Sequence, residues 1–182
     1  MSAGVGPDTT VAVVGDGAVG LSAVLAAVQL GAPMVIAMSR HDDRAALARE
    51  FGATHVVAER DEAGAAAVKA LTDGIGADCV IECVGTQDAR LTAINACRKG
   101  GDIGLLGVPH GDLPVDQAFW ENKGLKGGPA HVRAYLPVLL DLVLARKINP
   151  GRVFDLELPL SEIAEAYAAM DERRAIKSLV RP

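Results

Sequence analysis

The sequence predicts an α/β fold, a doubly wound parallel sheet (Rossmann-like) with a short C-terminal appendage. Three observations predict it. Short Val/Ile-rich runs alternate with helical segments of ten or more residues, which calls for parallel strands joined by right-handed crossovers. Half of the residues are apolar but only 3% are aromatic, a composition suited to alanine-rich helices packed closely on a buried sheet. At 182 residues the chain is long enough for one sizeable core and short of two full domains.

The elements follow in order. VAVV at 11–14 is an apolar run that ends in glycine, and AVGLSAVLAAVQLGA after it has helical spacing with a terminal Gly31. MVIAMS is a second buried strand. DDRAALAREFGA is a helix with two carboxylates near its positive end and a stop at Gly52. THVV is a third strand, DEAGAAAVKAL a helix from Asp61 to Leu71, and DCVIECV a strand after the turn DGIGA. TQDARLTAINACRKGG forms a helix with Thr86 as its N-cap, and DIGLLGVP is the next strand. Beyond Pro109 the rhythm changes to a glycine- and proline-bearing loop reaching Gly128. A helix over 132–145, VFDLEL, a helix near SEIAEAYAAM and a final IKSLV complete the chain. The expected division is therefore 1–130, a dinucleotide-binding body, and 131–182, a tail with less to pack against.

A net charge of −5, from 23 acidic and 18 basic side chains, supplies no field for nucleic acid or an anionic membrane. No apolar stretch approaches the roughly 18 residues of a membrane span, and MSAGVGPDTT lacks the basic start and apolar run of a secretory signal. A cytoplasmic protein is expected. Three cysteines make no disulfide framework; Cys79 and Cys83 on one strand would lie about 13 Å apart, too far to bridge or to share a metal. Cys97 stands at the end of a helix. All three are expected to be small buried residues.

Gly15, Gly17 and Gly20 form a GxGxxG turn directly after a strand and at the start of a helix, with Ala18 and Val19 between the last two. Gly15 permits the sharp turn, Gly17 removes a side chain that would strike a pyrophosphate, and Gly20 lets helix and strand approach. The helix start then aims free N–H groups and a positive dipole end at the diphosphate. Tight packing alone would also use such glycines; strand, turn, helix and second strand in sequence favour dinucleotide binding.

At the end of the second strand, where NAD sites carry an Asp or Glu for the ribose hydroxyls, stand Ser39 and Arg40. A hydroxyl and a planar guanidinium, with His41 as a further donor, suit the adenosine 2′-phosphate of NADP, and NAD fits less well. Charge-assisted hydrogen bonds are worth about 1.5–3 kcal/mol each, so one or two give roughly ten- to several-hundredfold preference. The other reading of Arg40 is a solvated residue opening a surface helix, partly neutralised by Asp42 and Asp43.

GDGAVG, AMSR, EFGATHVV, GADCVIECVG, GLLGVP and AIKSLV, in that order along the chain, resemble the zinc-type medium-chain alcohol dehydrogenases. The resemblance implies that Ser39 and Arg40 select NADP and that Cys83, Val84 and Gly85 pass beside the cofactor. It further implies that Leu106, Gly107 and Val108 line the nicotinamide. Lys126 would fall in a loop presenting backbone to the carboxamide, and Lys177 would reach the pyrophosphate. Val84, Leu106 and Val108 would be buried in any protein of this class, and both lysines could be solvated.

Members of that family begin with a catalytic domain about as long as this chain, carrying the zinc ligands and the proton relay. No segment here supplies them: His41, His55, His110 and His131 are scattered, and none neighbours another His or Cys at metal spacing, although His110 lies near the nicotinamide edge. No catalytic residue and no metal ligand is therefore assigned. Expected partners are a dinucleotide, the catalytic domain, or a second copy joined through the sheet edge near GLLGVP. The favoured function is the NADP(H)-binding part of an alcohol dehydrogenase, exchanging hydride between an alcohol or aldehyde and the nicotinamide, and inactive alone. The alternative is a non-enzymatic NADP(H)-binding or partner-binding module. A methyltransferase-like nucleoside binder would want an acid where Ser39 and Arg40 stand.

Overall fold

The computed structural model describes residues 3–182; of the N-terminal reading above, Met1 and Ser2 lie outside the described residues. The chain divides into two compact units, one running to Ala130 and the other from His131 to Pro182.

The first unit contains β1 (Thr10–Val14), α1 (Ala18–Gln29), β2 (Met34–Met38), α2 (Asp42–Glu50), β3 (His55–Val57) and α3 (Asp61–Ala70). These are followed by β4 (Ala77–Glu82), α4 (Gln87–Ala96), β5 (Cys97–Leu105), α5 (Val115–Trp120) and β6 (Gly124–Gly127). The six strands form one sheet in the order β3-β2-β1-β4-β5-β6, and every pairing is parallel. This is the doubly wound α/β architecture expected from the alternation of strands and helices.

The apolar runs are explained by burial from both sides. Val11, Ala12 and Val13 are all fully buried although successive side chains point to opposite faces of the sheet. Ala12, Val14, Ile36 and Val80 join one core cluster with Val68 of α3 and Ala93 and Ile94 of α4. Leu21 and Val24 of α1 are also buried, as are Val35 and Cys79, which alternate with Ile36 and Val80 along their strands. Each fully buried Val, Leu or Ile contributes about 1.5–3 kcal/mol.

Two stretches differ from the expectation. β5 begins at Cys97 rather than at Asp102, because the Lys99-Gly100-Gly101 stretch turns without leaving the sheet. Gly100 has φ +70°, the register with β4 shifts between Ala77 and Cys79, and a Cβ on Gly101 would lie 2.6 Å from Cys97 Sγ. The stretch before Gly128 also contains α5 and β6, where the sequence pointed to a loop. A six-residue helix is too short to display helical period, and Gly-Leu-Lys-Gly holds no β-branched residue. Thr86 caps α4 as expected, its Oγ1 accepting from the Ala89 N–H at 3.3 Å.

The second unit contains α6 (Val132–Leu144), β7 (Phe154–Pro159), α7 (Ile163–Asp171) and β8 (Lys177–Arg181). β7 and β8 pair in parallel, with α7 as the crossover between them, its Ala166 and Ala169 buried. α6 buries none of its residues and exposes Leu136, Val138, Leu139, Leu140 and Leu144. No helix among the described residues is long and apolar enough to cross a membrane.

Candidate functional site

In a parallel sheet all strands end at one edge, and the order β3-β2-β1-β4-β5-β6 reverses direction between β1 and β4. The loops leaving those two strands diverge to opposite faces and open a crevice at that edge. The turn Gly15–Gly20 follows β1, Cys83–Gly85 follows β4, and Leu106–Val108 follows β5.

The three glycines of the first turn answer to different constraints. Gly15 has φ +112°, and a Cβ there would lie 2.7 Å from Val84 Cγ2. At Gly20 a Cβ would lie 1.9 Å from the Gly15 carbonyl oxygen, so the first turn of α1 sits directly on the loop. Gly17 is the exception. Its φ is −79°, open to any residue, and a Cβ built on it meets nothing within 4 Å. The protein's own packing does not demand glycine there. Gly17 is the N-cap of α1, with no side-chain capping bond and no acidic residue in the first turn. Ala18 and Val19 continue that turn, Val19 half-exposed.

The floor of the crevice is tied together by Glu82, the last residue of β4. Its side chain is fully buried; Oε1 accepts from the N–H groups of Val84 at 2.6 Å and Gly85 at 2.8 Å. Its backbone carbonyl accepts from Leu106 at 2.8 Å and Gly107 at 3.1 Å, and Cys83 N–H reaches Val14 O at 3.0 Å. Gly85 and Gly107 meet: a Cβ on Gly85 would lie 2.0 Å from Val108 O, and one on Gly107 would lie 2.2 Å from Gly85 N. Above this floor Val84, Leu106 and Val108 are 46%, 48% and 71% exposed, unusual for branched apolar residues. The sequence left them as buried strand residues in the absence of a site, and the structure does not bury them. Burial, with a contribution from Glu82, pushes the Cys83 thiol up to about 12, so it stays protonated at neutral pH.

Arg90 of α4 is buried yet faces no carboxylate. Its guanidinium donates to the carbonyls of His110 and Gly111, and its Nε to Thr86 O at 3.3 Å, which fastens the loop after β5 to α4.

At the end of β2 the structure adds a residue that sequence reasoning passed over. Ser39 is 4% exposed, and its Oγ donates to Asp16 Oδ2 at 3.0 Å. Asp16 also pairs with Arg44 of α2, Nη1 to Oδ1 at 3.4 Å, both side chains nearly buried. Ser39 and Arg40 directly follow β2 with no acid among them, but the turn after β1 brings a carboxylate against Ser39. Asp16 sits between Gly15 and Gly17, a position to which the GxGxxG spacing gives no role. Arg40 is exposed and has no hydrogen bond or ion pair among the described residues, so Asp42 and Asp43 do not neutralise it by contact.

The two lysines stand apart from this cluster in the chain. Lys126 lies in β6 rather than in a loop, and its Nζ pairs with Asp102 Oδ1 at 3.2 Å. Lys177 opens β8 in the second unit and is exposed. Glu82, Arg90 and Asp16 were all missed. A single acid within the apolar run VIECV was the one signal for Glu82, and nothing in the sequence marks Arg90.

Residues 18–127, from the start of α1 to the end of β6, match the family model for zinc-binding dehydrogenases. The chain belongs to that family. It is 32% identical over 177 residues to zinc-type alcohol dehydrogenase B of Aspergillus flavus, covering 96% of this chain and 41% of the relative. To geraniol dehydrogenase of Castellaniella defragrans it is 32% identical over 187 residues, with coverages of 98% and 50%. The solved alcohol dehydrogenase TADH from Thermus sp. ATN1 superposes with a TM-score of 0.86 at 30% identity, over 97% of this chain and 53% of that one. The chain spans about half the length of these relatives and corresponds to the NAD(P)-binding part of zinc-type alcohol dehydrogenases. Zinc does not fit the described residues: no group of three or more His, Cys, Asp or Glu side chains is placed to hold a metal ion.

Proposed function

We propose that this zinc-binding dehydrogenase chain is the NADP(H)-binding part of an alcohol dehydrogenase. The whole protein then exchanges hydride between an alcohol or aldehyde and the nicotinamide. One observation carries the reading: Gly17 is a glycine that the protein's own packing does not require, at an uncapped helix start in the mouth of a parallel sheet. The group that needs the space is a diphosphate, which accepts from the free N–H groups of Ala18, Val19 and Gly20 and is favoured by the helix dipole.

The assignments follow from that position. Gly15, Gly17 and Gly20 cradle the pyrophosphate. Cys83, Val84 and Gly85 pass beside the dinucleotide. Leu106, Gly107 and Val108 give the nicotinamide ring an apolar surface, while Lys126 and its backbone approach the carboxamide. Arg40, unpaired and exposed, meets the adenosine 2′-phosphate, with Ser39 behind it. Together these residues bind and orient the cofactor. None of the described residues polarises a substrate oxygen, so the chain alone binds nucleotide without turnover. The exposed apolar residues of α6 dock on the catalytic half; β5, which leads into GLLGVP, is flanked by β4 and β6, so the route to a homodimer is the free edge of β6, in the segment after it.

Calorimetric titration of NADPH and NADH into the chain and its Arg40→Asp variant tests this. NADPH is expected to bind more tightly to the wild-type chain, by about tenfold for one charge-assisted bond, and Arg40→Asp to reverse the order. Equal wild-type affinities would remove the NADP assignment, and binding of neither would remove the dinucleotide site.

A further inference from the structure

The Ser39 hydroxyl is not free to meet an incoming phosphate, because its proton is directed at Asp16 Oδ2, 3.0 Å away. The carboxylate is held in place from the other side by Arg44 at 3.4 Å, and its side chain is only 12% exposed. It is therefore a fixed negative charge in contact with the residue at the end of β2. That end is where a parallel-sheet dinucleotide site meets the adenosine ribose.

We infer that Asp16 is a specificity-determining residue that restrains the preference for NADP(H) and lets the site take NAD(H) as well. The inference rests on the dinucleotide reading of the crevice. The acid that such sites normally carry on the second strand is here delivered by the glycine turn. A carboxylate accepts hydrogen bonds from two ribose hydroxyls, and it repels a phosphate dianion brought to the same hydroxyl. Arg40 attracts that phosphate from the solvent side, and Asp16 opposes it from the protein side. Arg44 reduces the opposition without abolishing it, since a 3.4 Å contact made by a single nitrogen is a weak pairing. The two arginines and the carboxylate thus set a moderate preference that neither Ser39 nor Arg40 sets alone.

The test is the ratio of NADPH to NADH affinity, measured by calorimetry on the wild-type chain, Asp16→Asn and Asp16→Ala, with a thermal melt of each. Asparagine keeps an acceptor for Ser39 and removes the charge; alanine removes the whole group. Both variants are expected to raise the NADPH:NADH ratio by about tenfold, through tighter NADPH binding and unchanged or weaker NADH binding. A ratio unchanged from wild type in either folded variant overturns the inference while leaving the dinucleotide site intact. If NADH outbinds NADPH in the wild type but the variants still raise the ratio, Asp16 keeps its role and the NADP assignment falls. Failure of the wild-type chain to bind either nucleotide sinks both.

Discussion

Gly17→Ala and Gly20→Ala place the same methyl group three residues apart in one turn, with opposite expected consequences. At Gly20 the new carbon would sit 1.9 Å from the Gly15 carbonyl oxygen and 2.7 Å from its carbon. Both are backbone atoms of a loop already at φ +112°, so the clash is relieved only by lifting α1 off the turn. Overpacking of this kind costs about 1–3 kcal/mol or more. At roughly 2–4 °C per kcal/mol for a chain of this size, the melting temperature should fall by about 2–12 °C. At Gly17 the methyl enters empty space on a backbone that alanine adopts freely. The unfolded chain loses freedom and the folded one gains no clash, while alanine is a poorer N-cap than glycine; the two effects oppose, so stability should change by less than about 1 kcal/mol. Nucleotide affinity should nevertheless drop by at least about tenfold, because the methyl occupies the approach of the diphosphate. Differential scanning fluorimetry and calorimetric titration with NADPH, run on both variants, separate the two effects. A Gly17→Ala chain that binds NADPH like the wild type would refute the assignment of that space to a ligand. A Gly20→Ala chain that melts like the wild type would refute the packing account.

Two further outcomes follow from the floor of the crevice. Glu82→Ala leaves the amides of Val84 and Gly85 without their acceptor, at a cost of about 1–3 kcal/mol for each buried unpaired donor, whereas Glu82→Gln retains an acceptor oxygen and should lose less. Hydrogen exchange should show both amides deprotected in the alanine variant; continued protection would mean that another group holds the turn. Because the Cys83 thiol is pushed up to about 12, the protonated form prevails through neutral pH and the reactive thiolate grows only as the solution becomes strongly alkaline. Alkylation of native Cys83 at about pH 8 should therefore be far slower than in the urea-unfolded chain, and equal rates would contradict the burial that raises it.

The parts of this molecule that were legible in the sequence are those where periodicity and burial coincide. VAVV, VIAM and CVI are apolar without alternation because both faces of their strands are covered, which announces parallel sheet directly. The glycine turn was legible because its spacing reports backbone geometry. What stayed hidden depends on contacts between distant residues. Asp16 reaches Ser39 across 23 positions and Arg44 across 28, and no local pattern records either meeting. Arg90 serves carbonyls some twenty residues onward, so its role exists only once the loop has folded over α4. β6 went unseen because a four-residue edge strand bounded by glycines takes its conformation from its neighbour β5.

A side chain on Gly107 would strike the Gly85 backbone and one on Gly85 would strike the Val108 backbone, so the loops after β4 and β5 press main chain against main chain. Neither position accepts a larger residue unless the other loop is rebuilt at the same time. Variation at this end of the crevice must therefore proceed through the outward side chains of Val84, Leu106 and Val108, on a base that stays fixed. On the proposed placement of the nicotinamide, a library aimed at altering ring orientation should vary those three positions and leave the paired glycines untouched.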